Sequence, residues 1–180
     1  MKKLVVMVAA LALVLGLTVV SQAADKAGKP TVGLDLGVAI PIGDFGDACG
    51  SSFVIGVNGG YWINNMIEAG LGLLSNVSHG YKGGLDGSVN ILAITPQVKV
   101  TPIDDKILPN LSPYLQAGLG LFRVADGNSQ MKFGFGIGAG ADYNINKNLS
   151  AGITLKYNDI LTDNNSTGYI SLLLGASYGF

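Results

Sequence analysis

The sequence predicts an all-β chain: a single antiparallel up-and-down barrel of about eight strands that crosses a membrane. Three observations carry this. Mean hydropathy is +0.42 with 13% of residues charged, yet past the first 23 residues no apolar run nears the ~20 residues of a membrane helix. Gly16 aside, 26 of the 27 glycines fall among the 157 residues from Ala24 to Phe180. Finally, that part of the chain breaks into about eight stretches in which apolar side chains recur at every second position. Backbone groups in lipid must be paired within helices or closed sheets, so an apolar chain with no helical span points to a closed sheet.

The first 23 residues stand apart from the fold. Lys2 and Lys3 open the chain, an uncharged apolar run follows from Leu4 to Val20, and Ser21-Gln22-Ala23 places small residues ahead of Ala24. That layout predicts a secretory signal peptide over 1–23. A retained anchoring helix is the alternative, because the run is nearly long enough to cross a bilayer. The polar stretch Asp25-Lys26-Ala27-Gly28-Lys29 favours cleavage, and the absence of Cys at the cut argues against a lipoprotein. Residues 24–180 then make one domain. Net charge is −1 without a basic cluster, which argues against nucleic acid as a partner. Cys49 is the only cysteine, so an intramolecular disulfide is impossible.

The predicted strands run Thr31–Ile42, Ser52–Trp62, Met66–Leu74, Ser88–Val100, Ser112–Val124, Met131–Tyr143, Leu149–Asn158 and Gly168–Phe180. In the first, Val32, Leu34, Leu36, Val38, Ile40 and Ile42 oppose Thr31, Gly33, Asp35, Gly37 and Ala39. The sixth sets Phe133, Phe135 and Ile137 against Gly134, Gly136 and Gly138; the seventh and eighth alternate in the same way. A soluble barrel would turn its large apolar residues inward. Here the second face is glycine, serine, threonine and a few charges, too small and polar for a hydrophobic core. The bulky face is therefore expected outside, against lipid. Small inward residues also suit eight strands, whose interior is only just wide enough for side chains.

The fourteen aromatics all fall near strand ends or in loops, as two interfacial girdles would require. An even strand count puts both termini on one side. Ile63-Asn64-Asn65 and Asn144–Asn148 read as short turns on that side, with a longer one near Thr101–Leu111 between Pro102 and Pro109. Loops on the other side are expected near Gly43–Ser51, Ser75–Gly87, Ala125–Gln130 and Asp159–Thr167. Pro41, Pro96 and Pro113 lie at or inside strands, where a missing N–H disturbs pairing.

With these residues in view, the chain resembles the small bacterial outer-membrane β-barrel family, porin-like and eight-stranded. Its closing stretch Tyr169–Phe180 is similar to the family's C-terminal signature, ending in an aromatic with apolar residues at alternate positions. Pro113-Tyr114-Leu115-Gln116-Ala117-Gly118-Leu119-Gly120 resembles a common family strand. The resemblance implies a monomer in the cell outer membrane, surrounded by its lipid, with both termini periplasmic. It also implies periplasmic chaperones and barrel-assembly machinery during biogenesis, with Phe180 and Tyr178 as the assembly signal. It does not imply one activity, since members include pores, adhesins, structural barrels and a few lipid-modifying enzymes.

Inward charges are the informative residues. Period-two counting turns Glu68, Lys99, Gln116 and Asp142 inward near the periplasmic end, with Asp35 higher and Lys156 nearer the outer half. Glu68 and Lys99 fall on neighbouring strands and are expected to pair, because an unpaired buried charge costs several kcal/mol. The first reading is an interior network that fills and stiffens the barrel; the second is a gate or selectivity element in a small diffusion channel. An enzyme is a distant third. The only histidine, His79, sits beside Ser75 and Ser78 in a predicted loop, where a solvated histidine is the ordinary case. No cofactor and no metal cluster is expected. Gly136-Ile-Gly138-Ala-Gly-Ala141 formally fits a dinucleotide fingerprint, but that motif must open a helix, and here it continues one strand. Cys49, in a predicted loop, reads as an incidental thiol.

Overall fold

The computed structural model describes residues 26–83, 86–102, 110–162 and 167–180. The signal peptide expected over 1–23 lies outside the described residues, as do the strand connections at 103–109 and 163–166. Eight antiparallel strands pair in chain order and close into a barrel. They are β1 (Pro30–Ile42), β2 (Ser52–Trp62), β3 (Ile67–Gly80), β4 (Ser88–Val100), β5 (Leu111–Asp126), β6 (Asn128–Asn144), β7 (Leu149–Ile160) and β8 (Thr167–Gly179). A short helix, α1 (Gly43–Ala48), follows β1. Closure comes from β1 pairing with β8 from Thr31↔Gly179 to Ile42↔Gly168.

The outward face is apolar as expected: Val32, Leu34, Leu36, Val38 and Ile40 of β1 are exposed, as are Leu115, Leu119 and Leu121 of β5. From Leu111 to Leu121, ten steps of about 3.4 Å tilted by about 40° rise about 26 Å, close to the ~25 Å apolar band of a membrane barrel. Placing Arg at Ile153 or Leu172, both outward and exposed on this face, is expected to cost about 2–4 kcal/mol of folding free energy in lipid vesicles. Unchanged urea midpoints for both variants would contradict the outward assignment.

Three connections differ from the sequence expectation. First, β3 runs on to Gly80, through residues expected to be loop, because a bulge between Asn76 and His79 lets both side chains turn inward. Second, β5 and β6 continue to a hairpin whose tip is Gly127, at φ +66° between the paired residues Asp126 and Asn128. The loop expected at Ala125–Gln130 is therefore strand with a one-residue tip. Third, the first loop is partly helical, and α1 packs over the end of the barrel remote from the termini. Pro96 leaves β4 without β5 partners between Ile94 and Gln97, yet the register resumes at Gln97↔Gly118.

The interior differs by halves. Towards the termini the inward face is small and polar, as expected. Towards the far end Val54, Leu74, Val89, Ile91, Ala93, Phe122, Ile160, Tyr169 and Leu173 form a buried apolar cluster, with Phe45 of α1 and Tyr81 packed against it. Strands β2, β4 and β5 are apolar on both faces at that end, so strict alternation gives way there. The two girdles are likewise incomplete as drawn from sequence. Trp62, Tyr114, Phe122 and Tyr169 are buried. The outward rings are Tyr61, Tyr143, Tyr178 and Phe180 at one level and Phe53, Phe133, Phe135 and Tyr157 at the other.

Candidate functional site

Below the apolar cluster lies a cavity of about 740 Å³ whose lining includes Lys29, Asn146 and Lys147 beside the terminal-side turns and Leu74, Leu173 and Lys156 at its inner end. It is open at the end carrying the termini and closed by the core at the other. All six residues singled out from the sequence, Asp35, Glu68, Lys99, Gln116, Asp142 and Lys156, line it.

Their partnerships differ from the expected one. Glu68 and Lys99 are cross-strand neighbours, yet they turn away from each other. Glu68 accepts a hydrogen bond from Thr31 Oγ1 of β1. To do so it lies across β2 at Gly60, where a Cβ would collide with its Oε1. Lys99 instead reaches over β5 to Asp142 of β6, donating to Oδ2. Its ammonium stands 4.0 Å from the centroid of the Tyr114 ring, whose negative face attracts a cation. The bare backbone at Gly60 frees a path for Glu68 in one direction, and the Tyr114 face draws Lys99 in the other. Gln116 stands directly opposite Lys99 on β5.

The same crossing device recurs. The Tyr114 hydroxyl bonds Thr154 Oγ1 of β7 across β6, at Gly140, where a Cβ would lie 2.6 Å from the ring tip. Asp35 Oδ2 accepts from Asn58 Nδ2 at 2.8 Å. Thr31, Asn58, Tyr114 and Thr154 were not singled out from sequence. The signal available was their inward parity, which says that a residue faces the lumen but not what it meets there. Lys156, at the closed end, has no ion-pair partner among the described residues; the field of Asp35 reaches it through space.

At the far end His79 is a correction. It is 0% exposed rather than solvated. Its Nδ1 lies 2.9 Å from the Gly50 carbonyl oxygen and its Nε2 3.2 Å from Asn76 Nδ2. These partners assign a neutral ring, protonated on Nδ1 and accepting at Nε2. The ring packs between Phe45 and Tyr169, so it ties the first loop to the barrel wall. With both nitrogens engaged, it is poorly placed to accept a proton from a substrate. Cys49 is also buried, bridging to Tyr81, and burial pushes its thiol pKa up, which disfavours the reactive thiolate. Tyr81 donates to Asp126 at the β5–β6 tip, and its hydroxyl is pushed up to about 12. No group of three or more His, Cys, Asp or Glu able to hold a metal ion occurs among the described residues. Phe180, one residue past β8, donates its backbone N–H to Pro30 O, and its ring meets Tyr178 edge-on at 5.1 Å.

The model of the outer membrane protein beta-barrel domain matches residues 9–180. No curated protein matches the chain in sequence. Among solved structures, Neisserial surface protein A is 19% identical with a TM-score of 0.69, over 84% of this chain and 97% of that one. OprG of Pseudomonas aeruginosa is 17% identical at TM-score 0.63, over 86% and 97%. The attachment invasion locus protein Ail of Yersinia pestis is 16% identical at 0.60, over 86% and 99%. At these identities the likeness is one of fold.

Proposed function

This chain belongs to the outer membrane protein beta-barrel family and spans the outer membrane as a closed eight-stranded barrel, and from that premise we propose a structural, surface-presenting barrel that does not conduct. The observation that carries the reading is the plug. Phe122, Ile91, Tyr169 and Val54 are essentially fully buried across the far half of the lumen, and α1 packs over that end. A solute entering the polar cavity meets a packed apolar core. Planar-bilayer recording of the refolded protein is expected to show no stable unitary conductance. Steady single-channel openings would overturn the proposal in favour of a small diffusion channel, the second reading, which the size of the cavity favours.

The proposal includes an orientation. The terminal-side turns at Ile63–Met66 and Ile145–Asn148 are short and held by Asn side chains; Asn64 Oδ1 accepts from the Met66 and Ile67 amides, and Asn146 Oδ1 from Asn148 and Leu149. Short turns face the periplasm in barrels of this kind, so the cavity mouth would be periplasmic and α1 and Gly127 external. In a Cys49→Ser background, Asn128→Cys is expected to react with an impermeant thiol reagent on whole cells. Lys147→Cys is expected to react only once the outer membrane is opened, and the reverse pattern would invert the orientation. Outer-membrane lipid, periplasmic chaperones and barrel-assembly machinery are the partners in this reading, with Tyr178 and Phe180 as the assembly signal. Catalysis forms no part of it, since the buried, doubly bonded His79 offers no free base.

A further inference from the structure

At the far end of the barrel one uncharged histidine ties the first loop to the wall. Val54 stands opposite Asn76, so His79, three residues further along β3, lies past the level of the Phe53 ring and outside the lipid band. Its ring is fully buried. Phe45 of α1 meets it edge-on at 5.1 Å, and Tyr169 of β8 stands 6.3 Å away. Val89 of β4 is its cross-strand partner. The Gly50 carbonyl of the first loop accepts from Nδ1, and Nε2 accepts from the Asn76 amide. None of these neighbours is a carboxylate. The other titratable groups packed at this end are Cys49, Tyr81 and Tyr169. Asp44 and Asp47 of α1, Lys82 after β3 and Asp86 before β4 are exposed, and Asp126 at the β5–β6 tip is engaged by the Tyr81 hydroxyl.

A second proton on this ring has nowhere favourable to go while the loop is closed. An imidazolium enclosed here gives up its water and meets no carboxylate in return. The bond to Gly50 survives, but Nε2 then turns an N–H towards the N–H of the Asn76 amide. Rotating that amide supplies an oxygen and still leaves the charge unpaired. In an open loop the ring is solvated and takes its proton near the ordinary ~6.5. The open state therefore binds the proton more tightly, so closure holds above that pH and weakens as the pH falls below it. Little else resists. The helix α1 has six residues, none of them fully buried, and no side-chain cap at its N-terminus; elements with few buried contacts open first. We propose that His79 is an acid-sensitive latch, whose protonation releases α1 and the first loop and uncovers Cys49 and the end of the plug beneath Phe45. The latch stands whichever compartment the loop faces and whether or not the barrel conducts.

Cys49 is the reporter, because it is buried next to the Gly50 carbonyl that His79 holds. The refolded chain in lipid vesicles is treated with a pyridyl disulfide, a thiol reagent that still reacts in acid. At each pH the rate is divided by that of the urea-unfolded chain, which cancels the thiol's own ionisation. Between about pH 7.5 and about pH 4.5 this ratio is expected to rise by about tenfold or more, following the open population. His79→Gln, neutral throughout, should give a flat ratio. Asp126→Asn, which removes the carboxylate of the Tyr81 tie, should keep the rise. His79 is the only histidine in the chain, so its ring signals in isotope-labelled protein are identified at once. The ring should gain its proton at the pH where Cys49 loses protection, a test that decides alone should His79→Gln be open already at neutral pH. A flat ratio in the unsubstituted chain, an equal rise in His79→Gln, or a ring that titrates while Cys49 stays protected would overturn the latch. So would loss of the rise in Asp126→Asn, which would assign the response to the Tyr81 tie instead.

Discussion

Phe122→Ala is expected to lower the unfolding free energy in lipid vesicles by about 3–5 kcal/mol, the cost of emptying a well-packed aromatic site. Phe122 is 0% exposed in the apolar cluster that closes the lumen. Its ring lies over β6 at Gly134, where a Cβ would come within 2.6 Å of it. Collapse into the vacated space is therefore limited, because the strand beneath has no side chain to move in, and this favours the upper part of the range. Phe133→Ala is the control. Phe133 neighbours that same glycine but is 70% exposed on the lipid face, where a lost ring leaves no internal void. Urea titrations of both variants check the contrast. Equal losses would mean that the far half of the barrel is not a packed core, and the non-conducting proposal would lose its main support.

The second large effect concerns the Lys99–Asp142 pair. Their side chains are 20% and 17% exposed, so removing one partner leaves the other mostly desolvated. Lys99→Met is expected to cost about 3 kcal/mol, the low end of the range for a broken buried pair, because water in the cavity screens the orphaned Asp142. Lys99→Met/Asp142→Leu should recover much of that loss, a coupling read from a double-mutant cycle. The cycle between Lys99 and Glu68 should show far weaker coupling, since Glu68 bonds Thr31 and meets Lys99 only through space. Stronger coupling to Glu68 than to Asp142 would contradict the geometry. Near-neutral single variants would instead point to a fully wet lumen and to charges that act on permeating ions.

Much of this barrel can be read along the chain because its pattern is local. Alternation in β1 and in β6, β7 and β8 makes one face bulky and the other small, and lipid leaves no choice about which turns outward. Strand count, antiparallel order and the Asn-held turns follow from the same local chemistry. All six inward charges and amides, from Asp35 to Lys156, come from counting by two. So does the decoy status of Gly136 and Gly138, which a helix-opening motif would contradict.

What period two cannot convey is everything decided between strands that are not neighbours. Lys99 meets Asp142 and Glu68 meets Thr31 because long side chains lie across an intervening strand. Which of them can do so depends on bare backbone at Gly60 and on the Tyr114 face over β5. The bulge that turns both Asn76 and His79 inward adds one residue to β3 and defeats strict counting. It converts an apparently solvated histidine into a buried anchor for the first loop. The plug arises because inward residues of five or more strands converge on one level. Each alone reads as a modest exception: Val54, Ile91, Phe122, Ile160 and Tyr169. Alternation along the chain is enough to specify the lipid-facing surface and the closed sheet, because both answer to period two and to the bilayer. Only the closed barrel decided that its lumen is half core and half cavity, since that rests on side chains meeting across a curvature that no single strand contains.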